Sequence, residues 1–268
     1  MFKCTLLYGV ALLVTVLVLQ GCASAPETGR RQLLMIDSAR EAQLGLSAFE
    51  KTKRETPIAR NRQANAQLQS VGRRIARVAK VPNARWEFVL FDDKAPNAFA
   101  LPGGKVGVNT GILPITRDET GLATVVAHEI AHVSARHGAE RMSQGMAMQV
   151  GGAILSAALG ASGYGGATQD LAMQAYGVVG QVGVLLPYSR TQESEADRIG
   201  LLYMARAGYD PREAVAFWQR FQAYNSRRGG GGSLEFLSTH PLDAKRIAQL
   251  KAHLPQALAE YRKAGGQG

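Results

Sequence analysis

Cysteine is scarce in this chain, which has only Cys4 and Cys22 among its 268 residues. A scaffold held together by several disulfides is therefore excluded. Aromatic residues are also few, at 7%, and none interleaves with the compact basic cluster between residues 51 and 77. The net charge of +10 thus fits a solvated basic face better than a nucleic-acid-binding patch, and we expect no nucleic-acid partner. With 46% hydrophobic and 19% charged residues, the composition is that of a globular protein, not of a disordered or fibrous one.

The N-terminus carries the pattern of an export signal. Lys3 is followed by an uncharged, mostly apolar run over 4–19, which is short for a membrane span. The residues Leu-Gln-Gly-Cys that end at Cys22 resemble the lipobox of bacterial lipoproteins, in which the cysteine becomes the lipid-modified first residue. We predict a signal peptide over 1–21, lipidation at Cys22 and a lipid-anchored tether over 22–36. An ordinary signal peptide or an uncleaved anchor helix is the alternative.

The rest of the chain, 37–268, is expected to form one α+β domain that is mainly helical. Apolar residues recur at intervals of three and four, or follow capping patterns, in six predicted helices: about 37–53, 60–80, 116–138, 191–207, 211–225 and 241–261. Aromatic and branched residues over 86–91 predict a strand, and 97–109 predicts a hairpin. Thr116 and Glu119 are interpreted as a capping box for the third helix.

One segment does not fit this pattern. There is no charged residue over 142–169 or over 171–189, and glycine occurs throughout. The segment could be a buried helical hairpin, a mobile lid or a surface that contacts lipid, whereas glycine and glutamine argue against a spanning helix. We interpret 142–189 as an apolar, glycine-rich, lid-like segment and keep membrane contact as the alternative.

The sequence His128-Glu129-Ile130-Ala131-His132 carries the chemistry. On a helix that turns by about 100° per residue, His128 and His132 lie one turn apart on the same face, at the spacing that binds a single zinc ion. Glu129 lies beside them and could accept a proton from the attacking water and return it to the departing amine. The motif therefore predicts a zinc-dependent hydrolase.

A catalytic zinc usually has three protein ligands, so one more must come from elsewhere in the chain. Glu193 and Asp197 are four residues apart and share a helix face, whereas Glu195 points elsewhere. We predict Glu193 as the third ligand and Asp197 as a group that orients the ligands or handles a proton. His137 lies about half a turn out of phase and is not a candidate. Arg190 could stabilise an oxyanion or, equally, form an ion pair.

The residues around the motif also resemble a known family. The matching segments are HEIAH at 128–132, YSR at 188–190 with ESEADRIG at 193–200, NAFA at 97–100 and PGGK at 102–105. Together they resemble the zinc metalloendopeptidase (gluzincin) family of HtpX, the CAAX-prenyl proteases, BepA and LoiP, over about 37–253. The organisation is most similar to single-domain, LoiP-like lipoprotein proteases.

This resemblance implies the roles of the site residues. His128, His132 and Glu193 would bind one zinc ion per chain, Glu129 would be the general base, and Asp197 would be a supporting catalytic group that could donate a proton. It also implies a metallopeptidase domain over 37–268, in which the small sheet and hairpin lie beside the active-site helix.

His240 follows a run of four glycines, 229–232, and precedes Pro241. By itself it would be a loop histidine that caps the next helix or contacts solvent. However, Pro241 restrains it to extended geometry, and a neutral imidazole could take the fourth position on zinc and exclude water. The segment resembles a Thr-His-Pro motif of BepA-type proteases that is linked to a closed, resting site. We therefore predict that His240 is a conditional metal ligand.

Two functions of different classes follow. The first is a zinc-dependent metalloendopeptidase that is anchored by lipid in the bacterial cell envelope and cleaves unfolded or misassembled envelope proteins. Ala23 and Ser24, directly after Cys22, resemble the start of lipoproteins sorted to the outer membrane, where the domain would face the periplasm. The second is a chaperone-like binding lipoprotein with a locked or residual metal site.

Overall fold

The computed structural model of the chain describes residues 22–79, 81–164, 166–227, 236–237, 240–241 and 245–266. The predicted signal peptide and the glycine run lie outside the described residues. The chain divides into two compact units. The small unit comprises residues up to 38 together with 137–188, and the large unit comprises 39–136 together with 189–268.

The elements follow one another in an order that is mainly helical. They are β1 (Cys22–Ser24), β2 (Arg31–Leu33), α1 (Ser38–Glu55), α2 (Arg62–Val78), β3 (Glu87–Phe91), β4 (Ala98–Leu101), β5 (Lys105–Asn109), α3 (Leu113–Thr116), α4 (Glu119–Ser134), α5 (His137–Ala161), α6 (Ala167–Gly180), α7 (Leu186–Arg206), α8 (Arg212–Arg227) and α9 (Arg246–Lys263). A 3-10 turn over Thr110–Ile112 precedes α3, and a π-helical stretch over Gln181–Leu185 joins α6 to α7. The predicted α+β, mainly helical class is confirmed.

The large unit contains a three-stranded sheet in the order β3-β5-β4. β3 runs parallel to β5, and β4 pairs with β5 as an antiparallel hairpin in which Ala98 faces Val108. The turn between them contains Gly103 and Gly104 at φ values of 80° and 86°, which only glycine adopts readily. The predicted strand and hairpin are therefore present, and β4 lies at the edge of this sheet.

Helix α4 lies at the centre of the large unit. All of its residues from 121 to 134 are buried, because its sequence is apolar or small on every side apart from the residues of the metal-binding motif. It contacts α2, β4 and α8, whose apolar residues complete the core. These include Leu68, Val71 and Ile75 of α2 and Phe217, Trp218 and Phe221 of α8. The helix that carries the metal-binding motif is thus fixed from several sides.

Both ends of α4 differ from the prediction. The capping residue is Asp118, whose side chain accepts a hydrogen bond from the Gly121 amide at 2.9 Å, so the capping box from Thr116 is wrong. Thr116 instead ends the short helix α3, because Arg117 adopts a φ of 69°. The helix also ends at Ser134 and not near 138, because Arg136 has a φ of 53° and α5 begins directly after it.

The small unit joins the N-terminal residues to α5. β1 and β2 form an antiparallel ribbon in which Cys22 faces Leu33. The Arg30 guanidinium donates two hydrogen bonds of 2.7 Å to the carboxylate of Glu140, which is fully buried on α5. The Met35 amide donates to Ser143 Oγ at 2.9 Å. The segment predicted as a tether, 22–36, therefore contains a ribbon that is attached to α5.

The apolar segment 142–189 forms most of α5, all of α6 and the start of α7. The two helices contact each other, and the Tyr176 hydroxyl donates to the Met148 carbonyl at 3.0 Å. Across the described part of the chain, the helices are too short or too polar to cross a membrane. Through their mutual contact, α5 and α6 form a helical hairpin within the small unit.

Candidate metal centre

The candidate site is built from three parts of the large unit. His128 and His132 come from α4, and Glu193 comes from α7. A Cβ atom at Gly200 of α7 would lie only 3.2 Å from the His128 amide nitrogen, so glycine allows α7 to approach α4 closely at this point. His240, in the segment before α9, completes the group and is itself buried.

The four side chains converge on one point. Donor atoms of His128, His132, Glu193 and His240 all lie within 4.8 Å of one another. The Nε2 atoms of His128 and His132 are 3.1 Å apart, and each lies 3.3 Å from a carboxylate oxygen of Glu193. His240 Nδ1 lies 3.1 Å from His128 Nε2 and 2.9 Å from Glu193 Oε2. The predicted residues are thus brought together.

This donor set fits zinc. Zinc binds imidazole nitrogens and carboxylate oxygens in tetrahedral geometry at about 2.0–2.2 Å, which separates neighbouring ligand atoms by about 3.3 Å. The observed spacings of 2.9–3.3 Å match that separation. Glu193 Oε1 is a buried oxygen that makes no hydrogen bond within the described residues, as expected for an atom that has a metal as its partner.

Charge compensation favours an ionised Glu193. Burial raises the pKa of its carboxyl group, but His132, His240 and His128 hold that pKa well below its usual range. Burial lowers the pKa of His128, whereas the carboxylates of Asp197 and Glu193 raise it to about 9. The cluster therefore attracts a cation, whether a proton or a metal ion, to a buried position.

Asp197 contacts the ring nitrogen of His128 that does not face the cluster. Asp197 Oδ1 lies 3.0 Å from His128 Nδ1, which is the arrangement that fixes the orientation of a metal-binding histidine. Both carboxylate oxygens also accept hydrogen bonds of 2.7 Å from the Arg246 guanidinium. Burial raises the pKa of Asp197, but Arg246 and His128 keep it below its usual range. Asp197 is thus held as an anion beside the cluster.

Glu129 and His240 are neighbours. Glu129 is buried, and its Oε1 lies 3.2 Å from His240 Nε2. The imidazole of His240 therefore stands between Glu129 on one side and Glu193 and His128 on the other. The sequence predicted a role for His240 from its Pro neighbour and the glycine run, and the structure brings its side chain to the cluster.

Arg246 is the residue that sequence reasoning missed. It is the first residue of α9 and is buried, with its guanidinium carbon 3.6 Å from the centre of the Trp218 ring. It also lies 3.3 Å from Glu193 Oε2. Arg190, the cation considered from the sequence, is exposed. An arginine six residues after His240 is visible in the sequence, but nothing local indicated that it would be buried or point toward α7.

Two other candidates lie outside the cluster. Glu195 is buried on α7 but is not among the four convergent side chains, as its position in the helix predicted. His137 begins α5 and belongs to the small unit. Within the described residues, the group of four is the one cluster of histidine and acidic side chains able to hold a metal ion.

The arrangement is that of a gluzincin metallopeptidase: a His-Glu-x-x-His helix and a glutamate from a later helix face the same point. Residues 62–254 match peptidase family M48, and the chain belongs to this family. Zinc is the metal that the family uses and that the donor set fits.

Individual relatives agree with this assignment. The chain is 40% identical over 190 residues to mitochondrial metalloendopeptidase OMA1 of Schizosaccharomyces pombe. This match covers 71% of the chain and 53% of that protein. It is 38% identical over 183 residues to the OMA1 of Saccharomyces cerevisiae, covering 67% and 50%. It is 27% identical over 233 residues to the beta-barrel assembly-enhancing protease of Escherichia coli (strain K12), covering 84% and 46%. The chain thus spans about half the length of these relatives.

Proposed function

We propose that the chain is a zinc-dependent endopeptidase with His128, His132 and Glu193 as the metal ligands and Glu129 as the general base. The observation that carries this proposal is the convergence of the three ligand side chains in a buried site. Glu129 lies on the helix that carries His128 and His132. Relatives named as metalloendopeptidases, one of them 40% identical, support the same reaction.

The chain's own residues have separate tasks in hydrolysis. Zinc, when bound, acts as a Lewis acid that makes water more acidic and polarises a carbonyl group. Glu129 accepts a proton from the attacking water and delivers it to the departing amine nitrogen. Asp197, held by Arg246, orients His128 through its Nδ1 and so acts as a positioning residue rather than as a proton donor.

The edge strand β4 is the proposed site for the peptide backbone. Among the described residues, β4 pairs with β5 on one side only, so an extended peptide could add to its other side. β4 also contacts α4, which carries the ligands. Its residues Phe99, Ala100 and Leu101 are partly exposed. This supports recognition of unfolded, extended segments, since main-chain pairing is largely independent of sequence.

His240 is proposed to close the site. Its Nδ1 is directed at the cluster, and its Nε2 lies 3.2 Å from Glu129 Oε1. In this position the imidazole would supply a fourth ligand to a bound zinc ion and would also stand beside Glu129, the proposed base. The site would therefore be inactive while His240 holds this position and active when His240 moves away from Glu129.

The reaction is tested with Glu129→Gln. The variant should fold and keep zinc, because Glu129 is not a ligand, but should cleave casein about 10²–10⁴-fold more slowly, because the proton acceptor is lost. Glu195→Gln is the matched control, since it makes the same change at a buried carboxylate outside the cluster. Full casein cleavage by Glu129→Gln would show that the base is wrongly assigned.

We propose further that Cys22 anchors the protein by lipid in the bacterial envelope, where unfolded or misassembled envelope proteins are the substrates. The lipobox-like residues before Cys22 support the anchor, and the Escherichia coli relative supports this class of substrate. The mitochondrial relatives show that family membership alone does not locate the protein. Metabolic labelling with a fatty acid should mark the parent chain and not Cys22→Ala.

The competing function is a chaperone-like lipoprotein that binds clients without cleaving them. It is supported by the closed arrangement around His240 and by the exposed apolar hairpin. Zinc content and casein cleavage, measured before and after treatment with a chelator, separate the two functions. A zinc-loaded chain that binds unfolded casein but never cleaves it, even with His240 replaced, would favour the chaperone.

A further inference from the structure

Large apolar side chains are exposed along both helices of the small unit. On α5 they are Met146, Val150 and Ile154, which recur every four residues and therefore share a face. On α6, Leu171, Val178 and Val179 are each more than 60% exposed. A soluble monomer seldom leaves so many apolar side chains together in water, so this pattern indicates a surface that is covered by another apolar phase.

Two polar side chains of this hairpin form hydrogen bonds between its two helices. The Gln169 side chain donates to Ser156 Oγ at 2.8 Å, and the Tyr176 hydroxyl donates to the Met148 carbonyl. Over residues 142–180, Asp170 is the one charged residue, and it lies in the first turn of α6. The exposed face is therefore uncharged over most of both helices, although Gln149 and Gln174 are exposed as well. Its large apolar side chains are unfavourable in water and favourable against lipid.

The small unit also carries the proposed anchor. Cys22 is the first residue of β1, and the ribbon of β1 and β2 is fastened to α5 by the buried Arg30–Glu140 pair and by the bond from Met35 to Ser143. Because Glu140 is fully buried and accepts two hydrogen bonds from Arg30, this connection is not a loose surface contact. Lipid attached at Cys22 would therefore bring this same unit to the bilayer.

We propose that the exposed face of the α5–α6 hairpin rests in the surface of a lipid bilayer as a second membrane contact beside the acylated Cys22. The inference rests on the proposed lipidation for its choice of lipid as the covering phase. Asp170 and the exposed Gln149 and Gln174 leave neither helix apolar on every side, so the hairpin is placed along the bilayer surface and not across it. Two contacts hold a protein on a membrane more firmly than one, because the first raises the effective concentration of the second.

The experiment uses single cysteines that carry an environment-sensitive fluorophore. In a Cys4→Ser background an acylated Cys22 has no free thiol, so Val150→Cys, Leu171→Cys and Val178→Cys take up one label each. The labelled full chains are reconstituted in phosphatidylethanolamine–phosphatidylglycerol vesicles that contain a doxyl-labelled lipid. The control is Leu46→Cys on α1, an equally apolar residue that is 45% exposed in the large unit.

Hairpin labels should emit at shorter wavelength in vesicles, and doxyl lipid should quench them at least about threefold more strongly than the label at position 46. Equal quenching at all four positions, or none at the hairpin, would overturn the proposal. A blue shift that appears without vesicles on adding unlabelled chain would assign the face to a second copy. A shift that appears only on adding unfolded casein would assign it to a client.

The experiment distinguishes an error in the proposed lipidation from an error in the proposed protease function. If Cys22 is not acylated, the unsubstituted Cys4→Ser chain itself takes up the label, which removes the argument for lipid. Casein cleavage in solution by the labelled chains should equal that of the parent, because the hairpin belongs to the small unit and the metal cluster to the large unit. As a second readout, Leu171→Glu with Val178→Glu should abolish quenching at position 150.

Discussion

The metal cluster of the large unit and the hairpin of the small unit depart from the usual distribution of side chains in opposite directions. Glu193, Asp197 and Arg246 are buried although they carry charge, whereas Leu171 and Val178 are exposed although they are apolar. The buried charges have partners at 2.7–3.3 Å, and these partners define the chemistry of the site. The exposed apolar face indicates only that something covers it. The comparison teaches that buried charge specifies a function more closely than exposed hydrophobicity does.

The largest effect is expected when a ligand is removed from the cluster. Glu193→Ala should weaken zinc binding by more than about 100-fold and abolish casein cleavage, because it removes both a ligand and the negative charge that balances the metal. Zinc content after competition with a chelator is the measurement. Glu195→Ala on the same helix should keep both zinc and activity. If Glu195→Ala instead empties the site, the wrong carboxylate has been assigned.

A smaller loss is expected from the carboxylate behind the ligands. Asp197→Asn keeps the size of the side chain but removes the charge that His128 Nδ1 and Arg246 share. Zinc affinity should fall by about 10–100-fold, the usual cost of losing a group that orients a metal-binding histidine. The measurement is a zinc titration against a fluorescent chelator. At saturating zinc the variant should recover most of its kcat, whereas loss of kcat without loss of affinity would instead indicate a proton donor.

The effect of His240 should have the opposite sign. His240→Ala should keep zinc, since three ligands remain, and should cleave casein faster because water can reach the site and Glu129 is released. If about nine molecules in ten are closed at rest, the rise is about tenfold. Initial rates at equal zinc content measure it. An unchanged rate together with unchanged zinc affinity would mean that His240 only fills space beside the cluster.

Sequence reasoning was strongest where a single element decides the outcome. The spacing of His128, Glu129 and His132 on one helix, the hairpin around Gly103 and the α+β class were all predictable, because helix and strand periodicity are local. The choice of Glu193 over Glu195 was also local, since it follows from the helix face. These parts of the site could therefore be inferred before any long-range contact was known.

The parts that were missed depend on contacts between distant residues or on single backbone angles. Arg246 reaches Asp197 across 49 residues, and nothing near it in the sequence announces that it is buried. The limits of α4 depend on the positive φ values of Arg117 and Arg136, which non-glycine residues adopt only when the surrounding structure enforces them. The face of the hairpin that is exposed likewise follows from how α5 and α6 pack.

The smallest effect is expected from substitutions in the exposed face of the hairpin. Leu171→Ser and Val178→Ser remove apolar side chains that are already more than 60% exposed, so each should change Tm by less than about 2 °C in buffer without micelles or vesicles. Leu122→Ala in α4 is the control, since Leu122 is 1% exposed and its truncation should lower the free energy of unfolding by about 2–5 kcal/mol. Thermal unfolding followed by circular dichroism measures all three. A drop at Leu171 as large as that at Leu122 would mean that its side chain is packed inside the protein. In that case lipid would not be required to cover this face. A small drop would instead mean that the hairpin face is covered by something outside the chain.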